Sequence, residues 1–304
     1  MGSIRFHSRF VLNYPATNGR HTMTEIEKYE FDRVGYLVIP GMLSGEEITK
    51  LAEAIDKLIA HAEAHFDDAP RVMARWGVDY HRNDELGYHV GGHFGKGIGD
   101  SVIIEDFFNA DPAFDCLVNH SRTMAYVDGL IAERPTINDS ELRVRHPGNL
   151  SATHMGGPIG TKYRYRFFNN RIDCMMIRMV YFVQDVSVEQ GAFCVVPGTH
   201  KSNFLSPFDC EPQDEPGMTP VEVKAGDAIL FTENLRHGGV PNLSGQVRKT
   251  LHIGYGPFWL KSQNIATIDQ DPYILQRTLD RYDEAQRGLF DPYEKQRDVR
   301  LGAG

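Results

Sequence analysis

Cysteine is scarce and scattered: Cys116, Cys174, Cys194 and Cys210 are the whole complement, and no CxxC pair occurs. That argues against a disulfide framework and against a cysteine zinc site, because structural zinc sites use closely spaced ligand pairs. The thiols read as reduced, which points to a cytoplasmic protein. Long apolar runs are missing too. No stretch approaches the roughly 20 residues that span a bilayer, and the N-terminal residues carry no apolar signal-peptide core. Nor is there an excess of cations: 32 Lys and Arg against 41 Asp and Glu leave a net charge of -9. No global field then recruits a nucleic acid polymer or an anionic membrane, and the expected partner is a small molecule.

What is present suffices for a sizeable core: 304 residues, 41% of them hydrophobic. Residues 1–22 read as a loosely structured arm and 23–304 as a single domain with a helical N-terminal part. There, VGYLVIPG is a short strand closed by Pro40 and Gly41. Ser44 and Glu47 form a capping box before Ile48, Leu51, Ile55, Leu58 and Ile59, which recur at helical spacing. Residues 67–100, rich in Gly, His and Asp, show no sustained period and read as a long loop or lid. Residues 101–132 read as two helices.

From Glu141 the texture changes to short β-rich runs (ELRVRH, MMIRMVYFVQDV, GAFCVVPG, VEVKAGDAILF, RKTLHIGYGPFW) punctuated by turn residues. This pattern predicts an antiparallel sandwich or barrel over about 141–260, followed by a charged helical tail from Asp271.

Among thirteen histidines any one is weak as a sign of chemistry. His237 is better placed. It follows the turn AGD and the apolar strand AILF, and Arg248 opens the next strand eleven residues later. A short antiparallel connection brings the two together, and a histidine beside an arginine at a barrel rim can serve a metal and a carboxylate at once. A structural arginine salt bridge is the plainer alternative.

The segments FDRVGYLVIPGMLSGEEI, YFVQDVSVEQGAFCVVPGTHK and AGDAILFTENLRHGGVPNLSGQVRKTLHIGY, in this order, resemble the phytanoyl-CoA dioxygenase-like branch of the iron(II) and 2-oxoglutarate dependent oxygenases. The resemblance implies a mainly β fold, a double-stranded β-helix (jelly roll, cupin-like) with flanking helices. It implies iron at the mouth held by a His-X-Asp motif and a distal histidine. Carried over, the motif histidine is His154, the distal histidine is His237, and the 2-oxoglutarate carboxylate partner is Arg248. Where the aspartate belongs, this sequence has Gly156.

Three readings follow. A His-X-Gly pattern distinguishes aliphatic halogenases among such relatives, so Gly156 would leave the carboxylate position vacant for chloride, with dioxygen as co-substrate. A hydroxylase could instead recruit its third ligand elsewhere, from Asp173 or Asp185. A non-catalytic ligand-binding relative is the third.

Arg143, Arg145 and His146 precede the motif, so alternate positions point either into the barrel toward 2-oxoglutarate, as for Arg145, or outward. After the motif, TKYRYRFFNNR interleaves Lys162, Arg164 and Arg166 with aromatic residues including Phe168. This is either a clamp for an aromatic anion such as a nucleotide or a hairpin with a solvated basic face. His200 reads as structural. His81, His89 and His93 match no specific metal spacing.

Overall fold

Helix α1 (Glu25–Val34) begins where the chain offers a reciprocal cap: the Thr24 hydroxyl accepts from Glu27 N–H, and the Glu27 carboxylate accepts from Thr24 N–H. It stops at Gly35, whose φ of 87° suits glycine and where a Cβ would press within 2.6 Å of the His200 ring. Strand β1 (Tyr36–Ile39) follows. Helix α2 (Gly45–Ala64) starts at the Ser44–Glu47 capping box and buries Leu51, Ala54, Ile55, Leu58 and Ala62 along one face. The computed structural model describes residues 22–74, 77–93, 100–156 and 163–291. The arm expected over 1–22, apart from its last residue, and the chain beyond 291 lie outside the described residues, as does Lys162.

The next region corrects two expectations. Within 67–100, expected as loop, lie β2 (Arg71–Met73), β3 (Asp79–Asn83) and β4 (Tyr88–Gly92). Tyr88, His89, Val90 and Gly91 are all buried, so β4 is covered on both faces and shows no alternation in its sequence. The first helix expected within 101–132 is instead β5 (Ser101–Glu105), whose Val-Ile-Ile run pairs with β4 on one side. Two 3₁₀ turns, Phe107–Asn109 and Pro112–Leu117, then lead into α3 (Ser121–Leu130).

The β-rich half supplies β6 (Pro135–Arg145), β7 (Ser151–His154), β8 (Tyr165–Phe168), β9 (Arg171–Cys174) and β10 (Ile177–Phe182). It continues with β11 (Phe193–Val196), β12 (Thr219–Val221), β13 (Ala228–Thr232), β14 (Arg236–Gly239) and β15 (Arg248–Pro257). A nine-stranded sheet runs β1-β13-β10-β15-β6-β5-β4-β3-β2, and a four-stranded sheet runs β12-β11-β14-β7. The chain crosses repeatedly between them, which is the double-stranded β-helix expected from the sequence. Strands β8 and β9 form a separate hairpin.

Period-two alternation sorts the large sheet into two faces. Leu142, Val144, Ile177, Met179, Tyr181, Leu230, Leu251 and Ile253 join the apolar cluster that includes Leu51, Ile55 and Leu58 of α2 and Val127 of α3. Val180, Phe182, Ile229 and Phe231 point the other way and meet Phe193 and Val195 of the small sheet.

Among its described residues the charged tail is helical in two short pieces, α4 (Gln276–Leu279) and α5 (Glu284–Gly288). Asp283 explains the break: its side chain caps a fresh helix start with Gln286 instead of continuing the previous turn.

Candidate active site

Toward one end, the inner face of the large sheet turns from apolar to charged. Arg178 stands two residues before Val180 on β10, Thr250 and His252 alternate with Leu251 on β15, and Glu141, Arg143 and Arg145 alternate with Leu142 and Val144 on β6. Of these, Glu141, Arg143, Arg145, Arg178 and His252, together with side chains of the small sheet, line one cavity, which also holds His154, Gly156, Glu233, His237 and Arg248. The alternation that left Arg143 and Arg145 ambiguous in the sequence is settled inward for both. His146 is not among the lining residues.

His154 on β7 and His237 on β14 are direct cross-strand partners, and their ring centroids lie 4.3 Å apart. Each ring is fixed the same way: His154 Nδ1 lies 2.8 Å from Ala152 O, and His237 Nδ1 lies 2.8 Å from Leu235 O. A donated Nδ1–H fixes the tautomer and leaves Nε2 as a lone-pair donor. The His237 ring also stacks on Phe193 and leans on Phe231. Burial, then the neighbouring His154, hold His237 well below the ordinary histidine pKa; burial also lowers His154. Both imidazoles are thus neutral ligand-ready bases near neutral pH.

Arg248 and Arg145 face each other in register on β15 and β6. Arg145 reaches Asn149 Oδ1 at 2.5 Å, Arg248 donates to the Gly191 carbonyl, and the Nε of each is buried without a hydrogen-bond partner. Among the described residues neither guanidinium has a carboxylate partner. Burial and then Arg143 push Arg248 down to about 10, and burial and then Arg248 lower Arg145. Among the described lining residues, four arginines (143, 145, 178, 248) stand against two glutamates (141, 233). The lining carries more positive than negative side chains, and Arg248 and Arg145 are the two guanidinium groups in it without a carboxylate partner among the described residues.

The space over Gly156 is not open. Gly156 N–H donates to the Glu233 carbonyl at 2.9 Å, and the Glu233 side chain folds back over Gly156. A Cβ built on Gly156 would overlap the Glu233 carboxylate, 2.5 Å from its Cδ and 3.1 Å from its Cβ. Glu233 Oε1 is held by Arg178 Nε, while Oε2 makes no hydrogen bond to the described residues. Arg178 in turn grips Asp139 through two bonds of 2.6 and 2.8 Å and reaches Glu141 at 3.0 Å. Burial pushes the Glu141 carboxyl up, but Arg143 and Arg178 outweigh it and hold it at about 2. As the side chains stand, no three His, Cys, Asp or Glu among the described residues are gathered at metal-holding distance. The imidazole pair is the part already assembled.

Other expected site residues fall elsewhere. Arg164 and Arg166 both pair with buried Asp173, at 3.1 and 2.8 Å. They line a second, more open cleft with Tyr165 and Lys201, not the central cavity. Phe168 is exposed on the same hairpin under the Arg166 guanidinium. The reason is register: β8 sets Arg166 opposite Asp173 on β9. The same pairing removes Asp173 as a third ligand, and Asp185 is a surface partner of Lys224. His81, His89 and His93 form no cluster; His89 instead makes a buried 2.7 Å pair with Asp106.

Sequence reasoning missed Glu233, Arg178, Gln263 and Ile265, whereas Tyr163, one of the aromatic residues interleaved in TKYRYRFFNNR, does line the cavity. Glu233 carried a signal, an acidic residue at the end of the strand four positions before His237. Gln263 and Ile265 carried none. Their loop is drawn over the cavity by Glu105, which accepts from Ile265 and Ala266 N–H, and by Asn264, which bonds Ser140 N–H and Asp106.

Residues 148–250, which run from just before β7 to the start of β15, match the phytanoyl-CoA dioxygenase (PhyH) family model. Over 246 residues the chain is 23% identical to the methylphosphonate hydroxylase of Gimesia maris, covering 77% of this chain and 81% of that protein. It is 22% identical over 276 residues to phytanoyl-CoA dioxygenase domain-containing protein 1 of Bos taurus, covering 78% and 91%. Among solved structures, HygX from Streptomyces hygroscopicus with nickel and 2-oxoglutarate bound superposes with a TM-score of 0.63 at 20% identity, over 83% of this chain and 93% of that one. Residues 148–250 are thus similar to that family, and the likeness to HygX shows a shared fold, the jelly roll. No described helix is long and apolar enough to cross a membrane.

Proposed function

We propose that the protein is an iron(II) and 2-oxoglutarate dependent oxygenase that hydroxylates a free small molecule. The observation that carries this is the cross-strand pair His154 and His237, each with Nδ1 fixed by a backbone carbonyl, beside the carboxylate-free Arg248 and Arg145. The donor set fits the group: neutral imidazoles suit iron(II), and a guanidinium fork suits a carboxylate end of 2-oxoglutarate. Iron bound there would couple the conversion of 2-oxoglutarate and dioxygen to succinate and carbon dioxide with insertion of one oxygen atom into a substrate C–H bond.

The protein's own tasks are to orient and to exclude. Arg248 anchors the co-substrate, with Arg145 adding a second positive charge across the strand pair. Phe193 and Phe231 keep water from the face of His237. Tyr163, Gln263 and Ile265 line the cavity where the substrate would lie. The names of the Gimesia maris and HygX relatives, a hydroxylase and a 2-oxoglutarate binder, agree with this reading.

Chlorination is the second reading, favoured by Gly156 itself. It would need chloride where the Glu233 carboxylate stands, and two adjacent anions repel in a cavity of low dielectric. The nucleotide reading draws no support from Arg164 and Arg166, because both serve Asp173. Mass spectrometry of products from a panel of phosphonates, nucleotides, amino acids and other metabolites, with and without chloride, separates the two reactions. A gain of one oxygen atom independent of chloride is the expected result. A chloride-dependent product with a chlorine isotope pattern would replace hydroxylation with halogenation.

A further inference from the structure

We propose that Glu233 is the third protein ligand of this centre, supplying from the turn after β13 the carboxylate that position 156 lacks; this rests on the oxygenase reading above. Three observations converge. The Glu233 carboxylate stands in the volume that a side chain at 156 would take. Its backbone is pinned on both sides, by Gly156 N–H on its carbonyl and by its own N–H on Met176 O at 3.2 Å. And Arg178 takes one oxygen, Oε1, while Oε2 stays without a hydrogen bond to the described residues.

This is how an outer partner orients a metal-ligating carboxylate: one oxygen is hydrogen-bonded and the other offered. Glu233, His154 and His237 line the same cavity, and the assignment requires a rotation about the Glu233 side-chain torsions to bring Oε2 to the two imidazoles. Gly156 is then required as clearance for a ligand that arrives from another strand, and is no longer a deletion in the motif. Asp139 and Glu141 hold Arg178 in place from the opposite side, so the guanidinium stays charged and positioned as the glutamate turns.

The test is cobalt(II) binding to the purified full chain, followed by calorimetry and visible absorption in chloride-free buffer, on wild type, Glu233→Gln and the carboxylate-relocating pair Gly156→Asp with Glu233→Ala. Wild type is expected to bind one ion, Glu233→Gln to bind at least about tenfold more weakly while retaining its thermal midpoint, and the relocated pair to recover most of the affinity. Glu233→Gln binding as tightly as wild type overturns the assignment and leaves the oxygenase reading intact. Wild type that binds no ion overturns both. Should Glu233→Gln fail to fold, wild type alone decides: chloride added to the cobalt form should leave its spectrum unchanged, and a chloride-dependent spectrum means that chloride, not Glu233, holds the position.

Discussion

Gly156 and Glu233 occupy one space. The glycine contributes the room and an N–H, and the glutamate fills the room with its carboxylate and accepts that N–H on its carbonyl. A residue that in the sequence looks like a loss is, in the fold, half of a contact.

The contact has an energetic consequence. Gly156→Asp in an otherwise unchanged chain places two carboxylates and a Cβ in one volume, and overpacking of this kind destabilises by about 1–3 kcal/mol. Combined with Glu233→Ala, the same change should be far milder. Urea unfolding of the two single variants and the double variant should give a coupling of at least about 1 kcal/mol; additive effects would mean that the two residues do not compete.

Arg178 is the hub of the buried charge network, held by Asp139, Glu141 and Glu233. Removing it leaves buried carboxylates without their counter-charge. Arg178→Met is expected to lower stability by about 3–5 kcal/mol, read from the denaturant midpoint. A loss under about 1 kcal/mol would show that the network is not what holds this end of the barrel.

Arg248 is expected to govern co-substrate affinity. Charge-assisted bonds to a carboxylate contribute about 1.5–3 kcal/mol, so Arg248→Ala should weaken 2-oxoglutarate binding by roughly 10- to 100-fold while metal binding persists. Arg248→Lys should recover only part, since an ammonium lacks the planar fork. Calorimetry with 2-oxoglutarate on the metal-loaded protein reads this directly. Equal affinity in wild type and Arg248→Ala would move the anchor to Arg145.

Acid stability should report on His252. Burial, followed by the positive charges of Arg143 and Arg178, holds this side chain well below its ordinary value of 6.5, so the folded protein keeps it neutral. The unfolded chain takes up a proton below about pH 6.5, and the folded chain does not. His252 therefore makes folding less favourable as pH falls below about 6.5, by up to about 1.4 kcal/mol per pH unit. The difference in urea midpoint between pH 7.5 and 5.5 should be smaller in His252→Gln than in wild type. An identical difference would remove His252 from the acid response.

Much of this molecule was legible before its structure, and the limits have physical causes. The Ser44–Glu47 cap with α2, the β-rich half and the closeness of His237 to Arg248 rest on local signals, caps, turns and short connections, whereas the jelly roll and the pairing of His154 with His237 were implied by the family resemblance. Strand β4 was missed because burial on both faces erases the period that marks a strand, and β5 because its Val-Ile-Ile run is apolar at successive positions although its burial alternates. The Arg164 and Arg166 cluster stayed open between a clamp and a basic hairpin because a basic stretch in the sequence does not show that its counter-ion, Asp173, lies directly across the hairpin. The partnership of Gly156 with Glu233 joins residues 77 positions apart, and only tertiary register reveals it.

The most direct test is the visible charge-transfer absorption of the protein after iron(II) and 2-oxoglutarate are added in the absence of oxygen, compared with His154→Ala, His237→Ala and Arg248→Ala. Wild type should develop a band that needs both additions, the histidine variants should lose it, and Arg248→Ala should need far more 2-oxoglutarate to reach it. No band in wild type at saturating iron(II) and 2-oxoglutarate, or an undiminished band in both histidine variants, would contradict the assignment of this cavity as an oxygenase centre.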